Sequence, residues 1–334
     1  MDQTDTLGAA PAARRSSRLA LRVTFGLVGA GATALLVRGV GPAQLLSILH
    51  GSARWMPLLL AIEAARISCE VAATAVLSRR VRERVRLGEL LRIHLTGYAA
   101  SVFLPAGRAM CETIKAAALA PRVGGAHAAA IGATNQSLAL LGGAIIGSLG
   151  VVAAYLTSGF SAITGAVALY VLTAATGFAV VQIACRRRSI GGFFGRRFAG
   201  LRAASASFHE ALGEIPVVPR AALAIIVVER ALQALLIGIA IHAVGGGFGL
   251  RISFLAQGVS LVGGSLGDLI PGQLGAVDGA FALAAPMLGI AGAAGVAVAV
   301  LVRCVQLAWM TVGIASSFGG RRREVVPTVV GSAS

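Results

Sequence analysis

Acidic residues are scarce in this chain, which has 13 Asp and Glu against 29 Lys and Arg and only 13% charged residues in total. Soluble domains carry about 25% charged residues, so this deficit argues against a soluble globular protein. The four cysteines form no CxxC and no metal-ligand spacing, so neither a disulfide framework nor a metal site is expected. HExxH, GxSxG, P-loop and GxGxxG motifs are also missing. We therefore expect neither an enzyme nor a bound cofactor.

Hydrophobic residues make up 57% of the chain, and the mean hydropathy is +0.84. Continuous apolar runs of membrane-spanning length recur along it, which predicts an all-α polytopic membrane protein and not a β-barrel of alternating residues. We predict six full spans, at residues 19–40, 54–78, 126–156, 162–185, 220–244 and 291–318. Two further apolar segments, 93–122 and 252–289, are interrupted by Pro105 and Pro271.

Basic clusters predict the orientation of these spans. The net charge is +16, and arginines concentrate in the N-terminal tail, in residues 79–92, in residues 186–202 and after the last span. By the positive-inside rule these regions, including both termini, are cytoplasmic. Each interrupted segment must then begin and end on one side of the membrane. We therefore predict two re-entrant helical hairpins, entering from opposite faces. Because the arginines cluster at span ends, as topology signals do, nucleic acid is not an expected partner.

The domain organisation follows from the same pattern. A single transmembrane domain is predicted for residues 19–318, between a disordered basic tail at 1–18 and a cytoplasmic tail at 319–334. Residues 200–215 space their apolar side chains as expected for a helix on the membrane surface.

A shift of 166 residues superposes the two interrupted segments. It places Pro105 on Pro271 and Glu112 on Asp278, each acid seven residues after its proline. The same register pairs Glu63 with Glu229, Gly97 with Gly263 and Gly147 with Gly313. Matched acids are informative because the chain has so few of them, whereas its 44 glycines match easily.

The shift therefore predicts two span–hairpin–span repeats, about 54–156 and 220–318, of inverted topology. Repeats of this kind, with broken helices near the midplane, are typical of transporters. Non-helical backbone at membrane depth requires polar partners, so we expect the two breaks to face each other or a wet cavity.

Charged residues within the apolar segments are the candidate functional groups, because each costs about 2.5–3.5 kcal/mol to insert at the bilayer centre. They are Glu63, Arg66, Glu70, Arg108, Glu112, Lys115, Glu229, Arg230, Asp268, Asp278 and Arg303. Spacings of i, i+3 and i+7 put Glu63, Arg66 and Glu70 on one helix face. Either these groups pair with one another and hold the hairpins in place, or some of them bind a ligand.

The ligand-binding interpretation assigns an anionic headgroup to Arg108, Lys115 and Arg303, because arginine binds two phosphate oxygens at once. The acids would then balance the charge or contact a cationic group. Helix starts after Pro105 and Pro271 would add N–H donors to an anion site.

These residues resemble the motifs of the lysylphosphatidylglycerol synthase transmembrane-region family of flippase-like proteins, over about residues 20–318. The family pattern P-G-R-x-G-E-x-x-R is similar to Pro105, Gly107, Arg108, Glu112 and Lys115, with altered spacing and lysine for the final arginine. The pattern P-G-G-x-G-x-x-E is similar to Pro271, Gly272, Gly275 and Asp278, and Arg303 matches the arginine of the last span. An acid–arginine pair usual in the family is replaced here by Asn135–Gln136.

The resemblance implies a bacterial inner-membrane translocase for a lipid with an anionic or zwitterionic headgroup. The expected headgroup contacts are Arg108, Glu112, Lys115, Asp278, Arg303, Glu63 and Glu229, and the expected structural breaks are at Pro105, Gly107, Pro271, Gly272 and Gly275. The aminoacyl-transferase domain of fused relatives is absent, so no synthase activity is expected. Two alternatives stay open: a non-catalytic partner of a lipid-modifying or glycosyl-transferring enzyme, and an ion-coupled small-solute transporter. A homodimer is a further candidate assembly.

Overall fold

The computed structural model describes residues 31, 34, 35, 38, 41–104, 106–187 and 199–318, and these residues form helices and their connections without any strand. This agrees with the predicted all-α fold. Most of the predicted first span, both tails, Pro105 and residues 188–198 of the basic loop lie outside the described residues.

The helices follow one another with short connections. The first part of the chain forms α1 (Pro42–Ser52), a 3₁₀ turn (Ala53–Trp55), α2 (Met56–Leu77), α3 (Arg79–Arg84), α4 (Leu87–Phe103), α5 (Gly107–Val123), α6 (Gly125–Ser158) and α7 (Ala162–Arg186). The second part forms α8 (Ala199–Gly213), α9 (Arg220–Ala243), α10 (Leu250–Leu266), a 3₁₀ turn (Pro271–Gln273), α11 (Ala276–Ala284) and α12 (Gly292–Phe318).

Four of the described helices are long and apolar enough to cross a membrane, namely α6, α7, α9 and α12. They correspond to four of the six predicted spans. Helix α2 has 22 residues, but Glu63, Arg66 and Glu70 interrupt its apolar sequence. It is a helix whose charged face needs polar partners inside the protein.

The two interrupted segments each form a pair of helices joined by a non-helical link. Between α4 and α5, Ala106 adopts a left-handed conformation with φ 53°. Between α10 and α11, Gly272 and Gly275 have φ values of 64° and 79°. The N–H of Ala106 donates to the carbonyl oxygen of Asp268 at 2.7 Å. The two breaks therefore lie against each other, as the sequence predicts.

The packing repeats itself across the two halves of the chain. A shift of 166 residues relates α2 to α9, α4 to α10, α5 to α11 and α6 to α12. Helix α4 packs on α12, and its counterpart α10 packs on α6, the counterpart of α12. Glycines make both crossings close: Gly313 of α12 lies on the backbone of Leu95, and Gly150 of α6 lies on the backbone of Phe254. Helices α2 and α9 pack directly on each other.

Four of the described helices lie outside this arrangement: the short α1 and α3, and the longer α7 and α8. Helix α7 packs along α6 but leaves most of its surface uncovered, since only 11% of its most apolar stretch is buried. Helix α8 corresponds to the predicted surface helix and packs on α6 and α7. Its buried residues Ala211 and Leu212, together with Ile215, join a hydrophobic cluster with the ends of α2 and α5.

Gly107, at the start of α5, allows the first break to close. A side-chain carbon there would overlap the carbonyl oxygen of Ser101. We expect Gly107→Ala to destabilise the protein by about 1–3 kcal/mol, because the added methyl forces the backbone of the break to move. Gly88→Ala in α4 is the matched control, since nothing lies within 4 Å of its would-be side chain. Thermal unfolding in detergent measures both, and equal melting temperatures would contradict the prediction.

Candidate functional site

A cavity of about 710 Å³ lies where the two breaks meet, and most of the helices contribute to its wall. Ligand sites in proteins are typically about 300–1,000 Å³. Its charged lining consists of Glu63, Arg66, Glu70, Arg108, Arg230, Asp268 and Arg303. Uncharged polar groups add Tyr98, Ser101, Gln136, Tyr170, Gln233, Ser260, Ser265, Gln273 and Gln306. The wall of the cavity therefore offers both charged and neutral polar groups.

Arg66 joins the two central helices. Its Nη1 donates to Glu63 of the same helix at 2.7 Å, and its Nε and Nη2 donate to one oxygen of Glu229 on α9 at 3.1 and 2.5 Å. The hydroxyl of Tyr98 on α4 donates to the other oxygen of Glu63 at 2.7 Å. Glu63 and Glu229 are the acids that the 166-residue shift superposes, and here one guanidinium holds both.

The first pair of interrupted helices, α4 and α5, carries most of a second group of charges. Arg108 donates to Glu70 of α2 at 2.9 Å, and Lys115 lies 2.6 Å from Glu112, one turn earlier on α5. Lys115 is also 3.9 Å from the second oxygen of Glu70, and the Nδ1 of buried His94 lies 3.9 Å from that same oxygen. Two carboxylates and two cations thus balance in charge around a histidine that is 2% exposed.

In the second pair of interrupted helices, α10 and α11, a two-pronged ion pair holds α11. Nη1 and Nη2 of Arg303 donate to the two oxygens of Asp278 at 3.0 and 3.1 Å. One of these oxygens also accepts the backbone N–H of Gly275 at 2.8 Å, which caps the start of α11. Asp278 therefore joins α11 to α12 and completes the helix terminus.

The structure brings some of the predicted contact residues into the cavity wall and buries others behind it. Glu63, Arg108 and Arg303 line the cavity, as do Gly107, Pro271 and Gly272. Glu112, Lys115, Glu229 and Asp278 are 5, 3, 1 and 0% exposed and bind the lining residues from behind. Gly275 caps α11, and Pro105 lies outside the described residues. The predicted anion site of Arg108, Lys115 and Arg303 is therefore not a continuous surface.

Sequence reasoning overlooked part of the uncharged lining. Tyr98 and Tyr170 were not singled out, and neither was Gln233, which accepts a hydrogen bond from Arg230 at 2.9 Å. Glutamine within an apolar span is as rare a signal as an acid, so Gln233 was detectable. Asn135, from the pair that replaces the family's charged dipeptide, donates to Thr74 at 3.0 Å, and Gln136 lines the cavity.

No grouping of three or more His, Cys, Asp or Glu side chains suited to a metal ion occurs among the described residues. The donors in the cavity wall are instead guanidinium groups, amides and hydroxyls, which suit an organic polar group.

Membrane-length helices enclosing a charged cavity define the class: this is a helical membrane protein with a polar interior site. A model of the family described as lysylphosphatidylglycerol synthase TM region matches residues 19–315. The chain belongs to that family, which is related to lipid handling, and the predicted resemblance is confirmed. Neither the curated proteins nor the solved structures contain a significant match to the chain.

Proposed function

We propose that the protein is a translocase that carries the polar headgroup of a membrane lipid through the central cavity while the acyl chains stay in the bilayer. The observation that carries this proposal is the charged cavity at the junction of two broken helices, in a chain of a family related to lipid handling. A headgroup needs such polar surroundings because charged groups are costly within hydrocarbon.

The proposed mechanism is alternating access by two inverted repeats. Each repeat contains a full-length helix, a re-entrant hairpin and a second span, and the hairpins enter from opposite sides of the membrane. The 166-residue shift relates α4 to α10 and α6 to α12, so the α4–α12 contact of the fold corresponds to its α10–α6 contact. This correspondence supports the arrangement. In inverted repeats, rocking of one copy against the other opens a shared central site to each face in turn.

The orientation follows from the positive-inside rule. We place the arginines of α3 and those at the end of α7 in the cytoplasm of a bacterial inner membrane, together with both termini. The first hairpin would then open from the cytoplasmic side, and the second from the outer side.

The headgroup we propose is anionic or zwitterionic. Arg108 has the most exposed guanidinium of the cavity's ion pairs, with 27% of its side chain accessible, and its partner Glu70 is also accessible from the cavity. A zwitterionic group would bind both members of this pair, its oxyanion on Arg108 and its cation on Glu70. Arg108 and Glu70 would then exchange each other for the charges of the headgroup, so neither side chain would be left unpaired.

Translocation by purified protein in liposomes tests this function. Phospholipids labelled on an acyl chain with a dithionite-quenchable fluorophore, and differing in headgroup charge, report movement from the inner leaflet. We expect Arg108→Ala to slow translocation by about 10- to 100-fold, the value of a hydrogen bond to a charged group. The protein should stay folded, because Glu70 faces the cavity and keeps Lys115 and His94 nearby.

Arg122→Ala is the matched control, because that arginine binds Glu89 through a partly exposed pair away from the cavity. Its translocation rate should equal that of the wild type. Well-folded wild-type protein that moves none of the labelled lipids would overturn the proposal, and equal loss of folded protein in Arg108→Ala would reassign Arg108 to a structural role.

A further inference from the structure

The four arginines that line the cavity differ in what they bind. Arg66, Arg108 and Arg303 each donate hydrogen bonds to a carboxylate. Arg230 on α9 instead donates to the amide oxygen of Gln233, a neutral acceptor, at 2.9 Å. A guanidinium bonded to a neutral acceptor has more to gain from an anion than one already bonded to a carboxylate.

The carboxylate nearest to Arg230 does not satisfy it. Nε of Arg230 lies 3.3 Å from Oε2 of Glu229, but neither atom makes a hydrogen bond within the described residues, and both are buried. The other oxygen of Glu229 accepts two bonds from Arg66. Glu229 is therefore oriented for Arg66, and it offsets the charge of Arg230 without using its donors.

The groups around Arg230 add further donors. The amide oxygen of Gln233 accepts hydrogen bonds from both Arg230 and the buried Gln257. These bonds fix the orientation of the amide and leave its NH₂ group to donate to a ligand. Tyr170 on α7 also lines the cavity, and its hydroxyl and the Arg230 side chain lie over the adjacent Gly143 and Gly142 of α6. A guanidinium, an amide NH₂ and a phenol in one wall match a group with several acceptor oxygens.

We propose that Arg230, with Gln233 and Tyr170, forms an oxyanion subsite that binds the phosphate or carboxylate of the transported molecule. This assignment rests on the proposed function for the statement that the oxyanion belongs to a lipid. It differs from the motif residues Arg108, Lys115 and Arg303 in requiring no hydrogen-bonded ion pair to open. Binding at Arg230 displaces only a bond to a neutral amide, whereas binding at Arg108 competes with Glu70.

Isothermal titration of the purified protein in uncharged detergent tests the subsite with inorganic phosphate, acetate and dihexanoyl-phosphatidylglycerol as probes. We expect Arg230→Gln to weaken binding of the preferred oxyanion by at least about tenfold, the lower range for a bond to a charged group. Arg230→Gln should fold, because Arg66 still neutralises Glu229. Tyr170→Phe is a second variant of nearly unchanged shape, and we expect a smaller loss of binding from it.

Arg122→Gln is the control for loss of a positive charge, and Arg108→Gln tests the rival site. Loss of binding in Arg108→Gln with unchanged binding in Arg230→Gln would overturn the subsite, as would absence of wild-type binding to all three probes. Competition by the short-chain lipid assigns the site to a lipid headgroup, and binding of inorganic phosphate alone assigns it to a free anion.

The translocation assay separates this inference from the proposed function. Translocation by the wild type that is insensitive to Arg230→Gln and Tyr170→Phe overturns the subsite and leaves the translocase in place. Arg230-dependent oxyanion binding by a protein that moves no lipid retains the subsite and overturns the translocase.

Discussion

Substituting alanine for Arg66 is expected to destabilise the protein by about 3–5 kcal/mol, the usual cost of removing one partner from a buried ion pair. Glu63 and Glu229 are each 1% exposed and share the Arg66 guanidinium. Without it, Glu63 keeps only the hydroxyl of Tyr98, and Glu229 keeps only the misaligned Arg230. Two carboxylates would then face each other across the α2–α9 contact.

Thermal unfolding in detergent, with the yield of monodisperse protein, measures this effect. Arg79→Ala is the matched control. Arg79 also donates a hydrogen bond to a glutamate, Glu83, and this bond lowers the pKa of Glu83, but both side chains are exposed. Solvent screens such a pair, so the melting temperature of Arg79→Ala should equal that of the wild type.

A rescue experiment distinguishes charge from packing at Arg66. Adding Glu63→Gln and Glu229→Gln to Arg66→Ala removes both uncompensated charges, and we expect most of the lost stability to return. Failure of this triple variant to recover would mean that the guanidinium acts by filling space between α2 and α9. An Arg66→Ala protein as stable as the wild type would contradict the geometry itself.

The charged residues of one helix could be grouped from the sequence, because helical spacing alone decides which side chains share a face. Glu63, Arg66 and Glu70 follow this rule, and all three line the cavity. The need of non-helical backbone for polar partners also predicted that the two breaks face each other or a wet cavity, and the bond between Ala106 and Asp268 confirms that they meet. Local periodicity and internal repetition can both be detected in a single sequence before its packing is known.

Pairing between helices could not be read in the same way. Which carboxylate takes Arg66 depends on the crossing of α2 and α9, so sequence reasoning left pairing and ligand binding as equal alternatives. Lys115 illustrates the consequence, because its spacing suits a ligand contact, while the packing of α5 on its neighbours buries it, 3.9 Å from Glu70 of α2. Arg230 was undervalued for the same reason, since its weak pairing appears only when Arg66 is seen to occupy Glu229.

Exchanging Asp278 and Arg303 with each other is expected to destabilise the protein, even though the two charges remain opposite. Asp278→Ala should cost about 3–5 kcal/mol, because Arg303 loses its carboxylate and the N–H of Gly275 loses its acceptor. Exchanging the two residues restores opposite charges but puts a guanidinium at the start of α11. That group accepts no hydrogen bond, and it adds a positive charge at the positive end of the helix dipole.

The control is an exchange of charges in the first half of the chain, at Glu112, which aligns with Asp278, and its partner Lys115. Glu112 and Lys115 pair within α5, and neither caps a helix terminus, so the double variant Glu112→Lys with Lys115→Glu keeps the pair without losing a cap. Its new like-charge contacts, with Arg108 and Glu70 at 3.9 Å, are weakened because those two side chains are partly exposed and neutralise each other. We expect it to melt well above the protein with Asp278→Arg and Arg303→Asp. Equal melting temperatures for the two exchanges would show that charge pairing alone stabilises both pairs of interrupted helices. A gap of several degrees would assign the difference to the cap. Asp278 would then stabilise the start of α11 as well as pairing with Arg303, a second role that its counterpart Glu112 does not have.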